Sequence, residues 1–392
     1  MDSNKAGKGL RGALGAVFLP AAIFQIVLVG PGFSTGREVV EFAGIYGALG
    51  TWSLAVILIG FAVLCVIAFE VSRVTEAYNY RTYIRHLIGR AWPLFDVLWI
   101  VFMLVISGLV TSAGATVLAD TFGVPELLAV FGILATAAVI LFIGRRAIEA
   151  FDIAGSILFS VGISVFAVVV LLRRWDAVVD VFATTDTQHS ESATPLAAAW
   201  AGGLYVAYNI PTMVPVLFAL DRQTRRAHSV ASGLLGAVLV FVPFTLTFLA
   251  IQAFYTSGIT EEPIPWLVMF GAVGGGALAT LFAVVFTYAV IDTSAATVHA
   301  FMDRVDDALT ERGRPRMDRR RRGLAVAGVL IAAFVLSRVG VIGLVAQGYT
   351  WLAYGFGIVF VLPLVTRGSY LIWKASKSSP GPATATPPAI AD

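Results

Sequence analysis

The sequence predicts an all-α polytopic membrane protein of about ten transmembrane helices. Three observations predict it. First, 58% of the 392 residues are hydrophobic and only 13% are charged, with a mean hydropathy of +0.86; soluble domains carry roughly 25% charged residues. Second, the apolar residues fall in runs longer than the ~18 that mark a spanning helix. None alternates in the ~10-residue manner of a membrane barrel strand, and a segment in lipid must satisfy its own backbone groups, so the runs are helices. Third, the basic residues segregate to alternate loops.

Taken in order, the spans are 12–47, 51–72, 93–119, 126–144, 148–172, 196–220, 228–255, 266–300, 323–346 and 350–373. A short polar N-terminus, 1–11, precedes a first run too long for a cleaved signal segment, so that run is read as a retained span. Of the 27 Lys and Arg residues, 23 lie in the N-terminus, in the loops after even-numbered spans, or in the C-terminal tail. Only Arg173 and Arg174 fall in the opposite loops, which carry acids such as Asp120, Glu126, Asp176, Glu261 and Glu262. Positive charge stays inside, so both termini are expected in the cytoplasm of a cell-membrane protein. The net charge of +3 belongs to these loops and not to a nucleic-acid surface. The connection 173–195 is the one sizeable external loop, with room for a short surface helix. The tail 374–392, rich in Pro, Ala, Ser and Thr, reads as disordered.

Composition also excludes functions. The single cysteine, Cys65, lies in an apolar run, reads as a small buried hydrophobe and rules out a disulfide framework. The four histidines form no metal-type cluster with it, and no span carries an enzymatic motif, so neither a catalytic role nor a resident cofactor is expected.

Two spans are interrupted. The first holds Gly30, Pro31, Gly32 and Gly36 within seven residues. Proline removes a backbone donor and clashes with the preceding turn, and glycine admits non-helical dihedrals. Unwinding is expected from Gly30 to Thr35, through Phe33 and Ser34. The sixth span holds Asn209, Pro211 and Pro215 near its middle. A residue before proline is pushed from α geometry, which predicts a second break from Tyr208 to Thr212. Either break alone reads as an ordinary proline kink. Together they occupy matching places, half-way along the opening helix of two five-helix sets, 12–172 and 196–373. Five is odd, so the sets enter the membrane from opposite sides. Interrupted helices at corresponding places of inverted halves point to a transporter binding site.

Other polar residues within spans carry two readings each. Asp292, Thr293 and Ser294 offer oxygen ligands to a small hard cation beside freed carbonyls of the first helix. Equally, the hydroxyls bond back along their own helix while Asp292 meets a loop arginine. Arg37 and Glu38 open the second half of the first helix; Glu38 reads either as a salt-bridge partner of Arg37 or of another span, with Arg338 near the outer end of the ninth, or as a gate or proton carrier. Ser107 and Thr111 on the third span serve close packing or line a polar pocket. Tyr349, Trp351, Tyr354 and Phe356 form an interfacial belt or a gate. Glu70, Asp96 and Asp152, near inner ends of spans, are expected to pair with arginines.

The pattern resembles the five-plus-five inverted-repeat transporters, the LeuT fold of the amino acid–polyamine–organocation superfamily. Within it, GPGFSTGREVVEF, from Gly30 to Phe42, is similar to the glycine-rich first-helix signature of YkvI-type membrane proteins. The resemblance implies a substrate site at the breaks of helices 1 and 6. It also implies a sodium site, with the hydroxyls of Thr293 and Ser294 facing carbonyls from Gln25 to Val29. Metal-ion members carry Asp-Pro-Gly-Asn at the first break, where this chain has Gly-Pro-Gly-Phe, and Met213 stands two residues past Pro211. The expected function is a secondary active transporter of a small polar organic solute, an amino acid among the candidates, coupled to Na+ or H+. Amides of Phe33 to Gly36 would meet a carboxylate, and Tyr205, Tyr208, Asn209 and Thr212 would complete the pocket. A channel or sensor on the same fold, or a metal-ion transporter, is the alternative.

Overall fold

The computed structural model describes residues 3–143, 145–190, 193–311 and 313–378. Helices build it throughout, with no strand among the described residues. The elements are α1 (Ser3–Leu28), α2 (Pro31–Ser34), α3 (Arg37–Phe42), α4 (Gly50–Thr75), α5 (Tyr80–Ile88), α6 (Trp92–Phe122), α7 (Glu126–Ile143) and α8 (Arg145–Thr184). There follow α9 (Pro195–Asn209), a 3-10 helix (Ile210–Arg222), α10 (Arg226–Gln252), α11 (Pro265–Glu311), α12 (Arg319–Ser337) and α13 (Gly340–Lys377), the last containing three short π-helical stretches.

Six helices among the described residues are long and apolar enough to cross a membrane, and Gly15–Leu28 and Glu126–Leu141 are shorter apolar helices. Large apolar side chains cover the outside: Ile59, Val165, Leu172, Leu281, Ile331 and Ile358 are all exposed. A chain with apolar residues on both its core and its surface is a multi-pass membrane protein, because lipid, unlike water, does not drive such side chains inward.

Helix packing follows small residues. α4 lies along α10 and α9, α6 along α11 and α12, and α1 along α10. Gly233 of α10 sits on the backbone of Val66, and Gly202 of α9 on that of Ser53; a Cβ at either would fall within 3.0 Å of the facing helix. Between these helices a continuous aromatic core runs from Phe24 and Phe61 through Tyr205 and Tyr208 to Phe102 and Phe356.

Helices overrun several expected boundaries. α1 starts within the stretch expected as a polar N-terminus, α8 continues to Thr184, α11 to Glu311, and the last helix to Ser378. Outside the hydrocarbon, helix termination is set by caps and glycines and not by hydropathy. Thus α8 passes the membrane end with a bend at Arg174 (φ −133°, ψ 28°). α9 begins where the Thr194 hydroxyl accepts from the Ala197 amide at 3.1 Å. The connection 173–195 is therefore helical over its first half, and His189 then docks on Tyr255, its ring nitrogen 2.9 Å from the Tyr255 carbonyl. The tail expected as disordered lies, from residue 379 on, outside the described residues.

Two of the acids expected to pair with arginines do so. Arg304 pairs with Asp96 at 2.7 Å, and Glu70 with Arg73 at 2.6 Å, while Ser229 of α10 also donates to Glu70. The side chain of Asp152 lies outside the described ones. Cys65 is fully buried.

Candidate functional site

The first break is sharp and self-contained. α1 ends at Leu28, α2 is a single turn, and α3 restarts at Arg37. Gly36 is left-handed (φ 83°), and a Cβ there would lie 3.1 Å from the Trp266 ring; the reversal needs glycine twice over, for dihedral and for space. Inside the break, the Ser34 amide and hydroxyl both donate to the Gly30 carbonyl (3.1 and 2.9 Å). The Gly36 amide donates to Phe33 (2.9 Å), and the Arg37 amide to the Thr35 hydroxyl (3.0 Å). The amides of Ser34 and Gly36, expected to await a carboxylate, are thus spent on holding the turn. Thr35 in turn accepts the Trp266 amide through its carbonyl, tying the break to the start of α11.

The second break takes another form from the expected unwinding. α9 ends at Asn209 and the chain goes on as thirteen residues of 3-10 helix. Pro211 leaves the α-type carbonyl of Ala207 without its donor, and side chains brace the turns on either side: Asn209 Nδ2 donates to the Tyr205 carbonyl at 3.0 Å, and Thr212 Oγ1 to the Asn209 carbonyl at 2.6 Å. Runs beyond three or four residues of 3-10 helix are uncommon. Pro215 sits inside this one.

Between the two interruptions lies a cavity of about 260 Å³. Of the residues named from sequence, Gly30, Phe33, Glu38, Tyr208, Asn209, Thr212 and Thr293 line it. Among the described residues, Glu38 is the one carboxylate on its wall, which carries no Lys, Arg or His. It is 4% exposed, and the Tyr208 hydroxyl donates to its Oε2 at 2.7 Å. This one bond joins the resumed half of helix 1 to the end of α9. The expected Glu38–Arg37 salt bridge does not form. Successive helical residues face apart, and Arg37 reaches instead one turn on, to Glu41 at 2.8 Å, and out to the Thr260 carbonyl. No carboxylate–cation pair involves Glu38 among the described residues.

The remaining named residues stand off the cavity. Tyr205 is buried against Phe42, Phe61 and Phe244, its hydroxyl unpartnered. Ser107 and Thr111 are buried one position behind the lining residues Ile106 and Val110, their hydroxyls also unpartnered. Ser294 is buried with an unpartnered hydroxyl, next to Thr293 on the wall, and Asp292 is half-buried on the same helix. The Gln25 carbonyl is used by the Val29 amide at 2.8 Å. Gly32 lies within α2.

Sequence reasoning missed the apolar wall: Ile26, Val27, Leu28, Phe102, Ile106, Val110 and Ala296. Nothing in their local sequence separates them from lipid-facing residues. Tyr349 was readable only as belt or gate. It lines the cavity, 2% exposed, its ring 4.6 Å from that of Tyr208. Trp351 and Tyr354, by contrast, are exposed in the manner of a belt, and Phe356 is core.

No family model matches the chain, and no curated protein matches it. Solved structures that resemble it include a mutant of the Eremococcus coleocola manganese transporter, at 17% identity over 92% of this chain and 74% of that one, with a TM-score of 0.46. The same transporter in complex with an aromatic bis-isothiourea substituted compound is similar at 15% identity over 94% and 89% of the two chains, TM-score 0.43. The kinship with YkvI-type proteins of the amino acid–polyamine–organocation superfamily, expected from the first-helix motif, is corrected by these findings.

Proposed function

We propose that the chain is a secondary transporter that moves a small cation, or the cationic end of a small solute, by alternating access. The reading includes ten spans arranged as two inverted sets of five, with both termini in the cytoplasm. One observation carries it: Glu38, buried between two interrupted helices, lines the cavity and has no cationic partner among the described residues. A buried carboxylate is compensated by a cation or a proton. The compensating species is then the cargo or the coupling ion, and exchanging one for the other couples their movements. The walls favour an organic ammonium, because Phe33, Phe102, Tyr208 and Tyr349 line the same cavity as the acid and ring faces attract cations. Proton coupling fits Glu38 directly; sodium coupling rests on Thr293, whose hydroxyl is on the same wall.

A divalent metal ion is the second reading. It is favoured by the oxygen donors of Glu38, Asn209, Thr212 and Thr293 on one cavity, a hard set of the type that suits such ions. Among the described residues no group of three His, Cys, Asp or Glu side chains converges, so that ion would keep part of its water shell.

The test is uptake into proteoliposomes across a panel of primary amines, basic amino acids and divalent manganese, with and without imposed proton and sodium gradients. A transported cation accumulates uphill, and Glu38→Gln reduces its flux at least tenfold. Full flux in Glu38→Gln, or only downhill flux at channel rates, overturns the proposal.

A further inference from the structure

A second cavity, of about 540 Å³, lies far from Glu38 on the outside of the helix bundle, between α8 and α11. Gly162, Val165, Phe166 and Val169 form one wall, and Phe270 and Phe282 belong to the other. We propose that this groove binds one phospholipid of the surrounding leaflet, an acyl chain lying along it and the phosphate resting on Arg173.

The groove is a product of sequence. α11 leaves its helical path at Gly275 (φ 70°, ψ −176°), and residues on both sides of this bend, Phe270 before it and Phe282 after it, wall the groove. On the α8 side, Gly162 presents open space, with no atom within 4 Å of where a Cβ would stand. Phe166 and Phe270 stack at 3.9 Å as the floor. A chain-shaped apolar slot facing hydrocarbon fits an acyl tail and little else.

Its mouth is cationic. Residues 162, 166, 169 and 173 follow one helical stripe, so the guanidinium of Arg173 stands one turn beyond the last apolar wall residue. Its Nη1 donates to the Val273 carbonyl at 2.6 Å, a backbone group next to the Gly275 bend. Arginine has five N–H donors in a fixed fork. One bond anchors the fork and leaves others for phosphate oxygens, which it matches in a bidentate manner. Arg173 is exposed, and no carboxylate pairs with it among the described residues. Trp175, two residues on, is exposed, a residue favoured at headgroup depth. The neighbouring Arg174 is committed elsewhere, over the Phe254 ring at 4.0 Å. Apolar slot and cation thus lie in the order of tail and phosphate, with Trp175 beyond the cation.

The experiment is native mass spectrometry of the full chain released from nanodiscs of mixed phosphatidylglycerol and phosphatidylcholine. One phospholipid is expected to stay bound. Arg173→Gln, which removes a charge-assisted bond to phosphate, is expected to lower its occupancy about tenfold. Gly162→Leu, filling the slot, lowers it likewise, while Arg316→Gln on a remote exposed loop does not. Thermal shifts in detergent separate the sources: phosphatidylglycerol stabilises, and inorganic phosphate or diacylglycerol alone does not. Equal lipid retention in wild type and both groove variants overturns the site. Equal stabilisation by diacylglycerol overturns the headgroup assignment, and equal stabilisation by phosphate overturns the acyl slot. Should Arg173→Gln fail to fold, Arg173→Lys, which keeps one donor for Val273, must still show weakened retention.

Discussion

At the scale of single residues, Glu38 and Tyr208 concentrate the chemistry. Removing the Tyr208 hydroxyl leaves its ring stacked between Phe42 and Tyr349, so Tyr208→Phe changes one bond and little packing. A hydrogen bond to a charged or potentially charged partner contributes about 1.5–3 kcal/mol. Tyr208→Phe should therefore shift cation affinity by roughly ten- to a hundredfold, measured by isothermal titration, with only a small change in melting temperature. Gly36→Ala behaves oppositely. The left-handed dihedral costs a side chain about 1–3 kcal/mol, and Trp266 stands in the way. Its expected signature is a lowered melting temperature and a weakened tie between the break and α11. Sequence made Gly36 legible, because glycine after proline in an apolar run has few other uses. The Glu38–Tyr208 bond was not legible. It spans 170 positions, and local sequence favoured the adjacent Arg37 as partner.

Helices 1 and 6 illustrate what patterning conveys at the scale of elements. Both interruptions were visible as Pro, Gly and Asn inside apolar runs, but the form of each depended on side-chain repair. Around Gly30 the Ser34 amide and hydroxyl close one turn on the Gly30 carbonyl, and left-handed Gly36 then redirects the chain. Around Pro211, Asn209 and Thr212 brace the adjoining turns through the Tyr205 and Asn209 carbonyls, and the chain tightens into 3-10 helix. The tightening has a length consequence. Thirteen residues at about 2.0 Å per residue reach about 26 Å, against about 20 Å as α-helix. Pro211→Ala combined with Pro215→Ala restores both amides and permits the shorter α form. That form would draw Thr212 and Asn209 out of register with Glu38. The double variant is expected to melt at or above the wild-type temperature, as proline leaves a helix interior, while transport falls at least tenfold. Loss of both stability and transport would instead place the prolines in the packing. The apolar cavity wall was illegible for a different reason: in a bilayer, core and lipid-facing residues are equally hydrophobic, so composition does not tell them apart.

At the scale of the whole molecule, the cavity is asymmetric. It is walled by the end of α1, at Ile26 to Leu28, and by Ala296 and Thr297 in the later half of α11. On the opposite side Phe33 is buried, Arg37 holds the Thr260 carbonyl and Glu41, and Trp266 receives the turn at Gly36. With the termini inside, as proposed above, the outer side is the latched one. Alternating access then requires that the latch open while the α1–α11 side closes. The chain suits a direct test, because its one native cysteine is fully buried and silent to labelling. Ala296→Cys should react with a membrane-impermeant thiol reagent applied from inside, and Phe33→Cys should resist one applied from outside. Adding Arg37→Ala removes the buried ties to the 260–262 segment. If those ties hold the resting state by about 1.4 kcal/mol or more, the outward population rises about tenfold. Outside labelling of Phe33→Cys should then rise by the same factor while inside labelling of Ala296→Cys falls. The two changes must be reciprocal, since one cavity cannot open to both sides in a transporter. Rates that rise together would describe a pore, and rates that ignore Arg37→Ala would remove the latch from the mechanism.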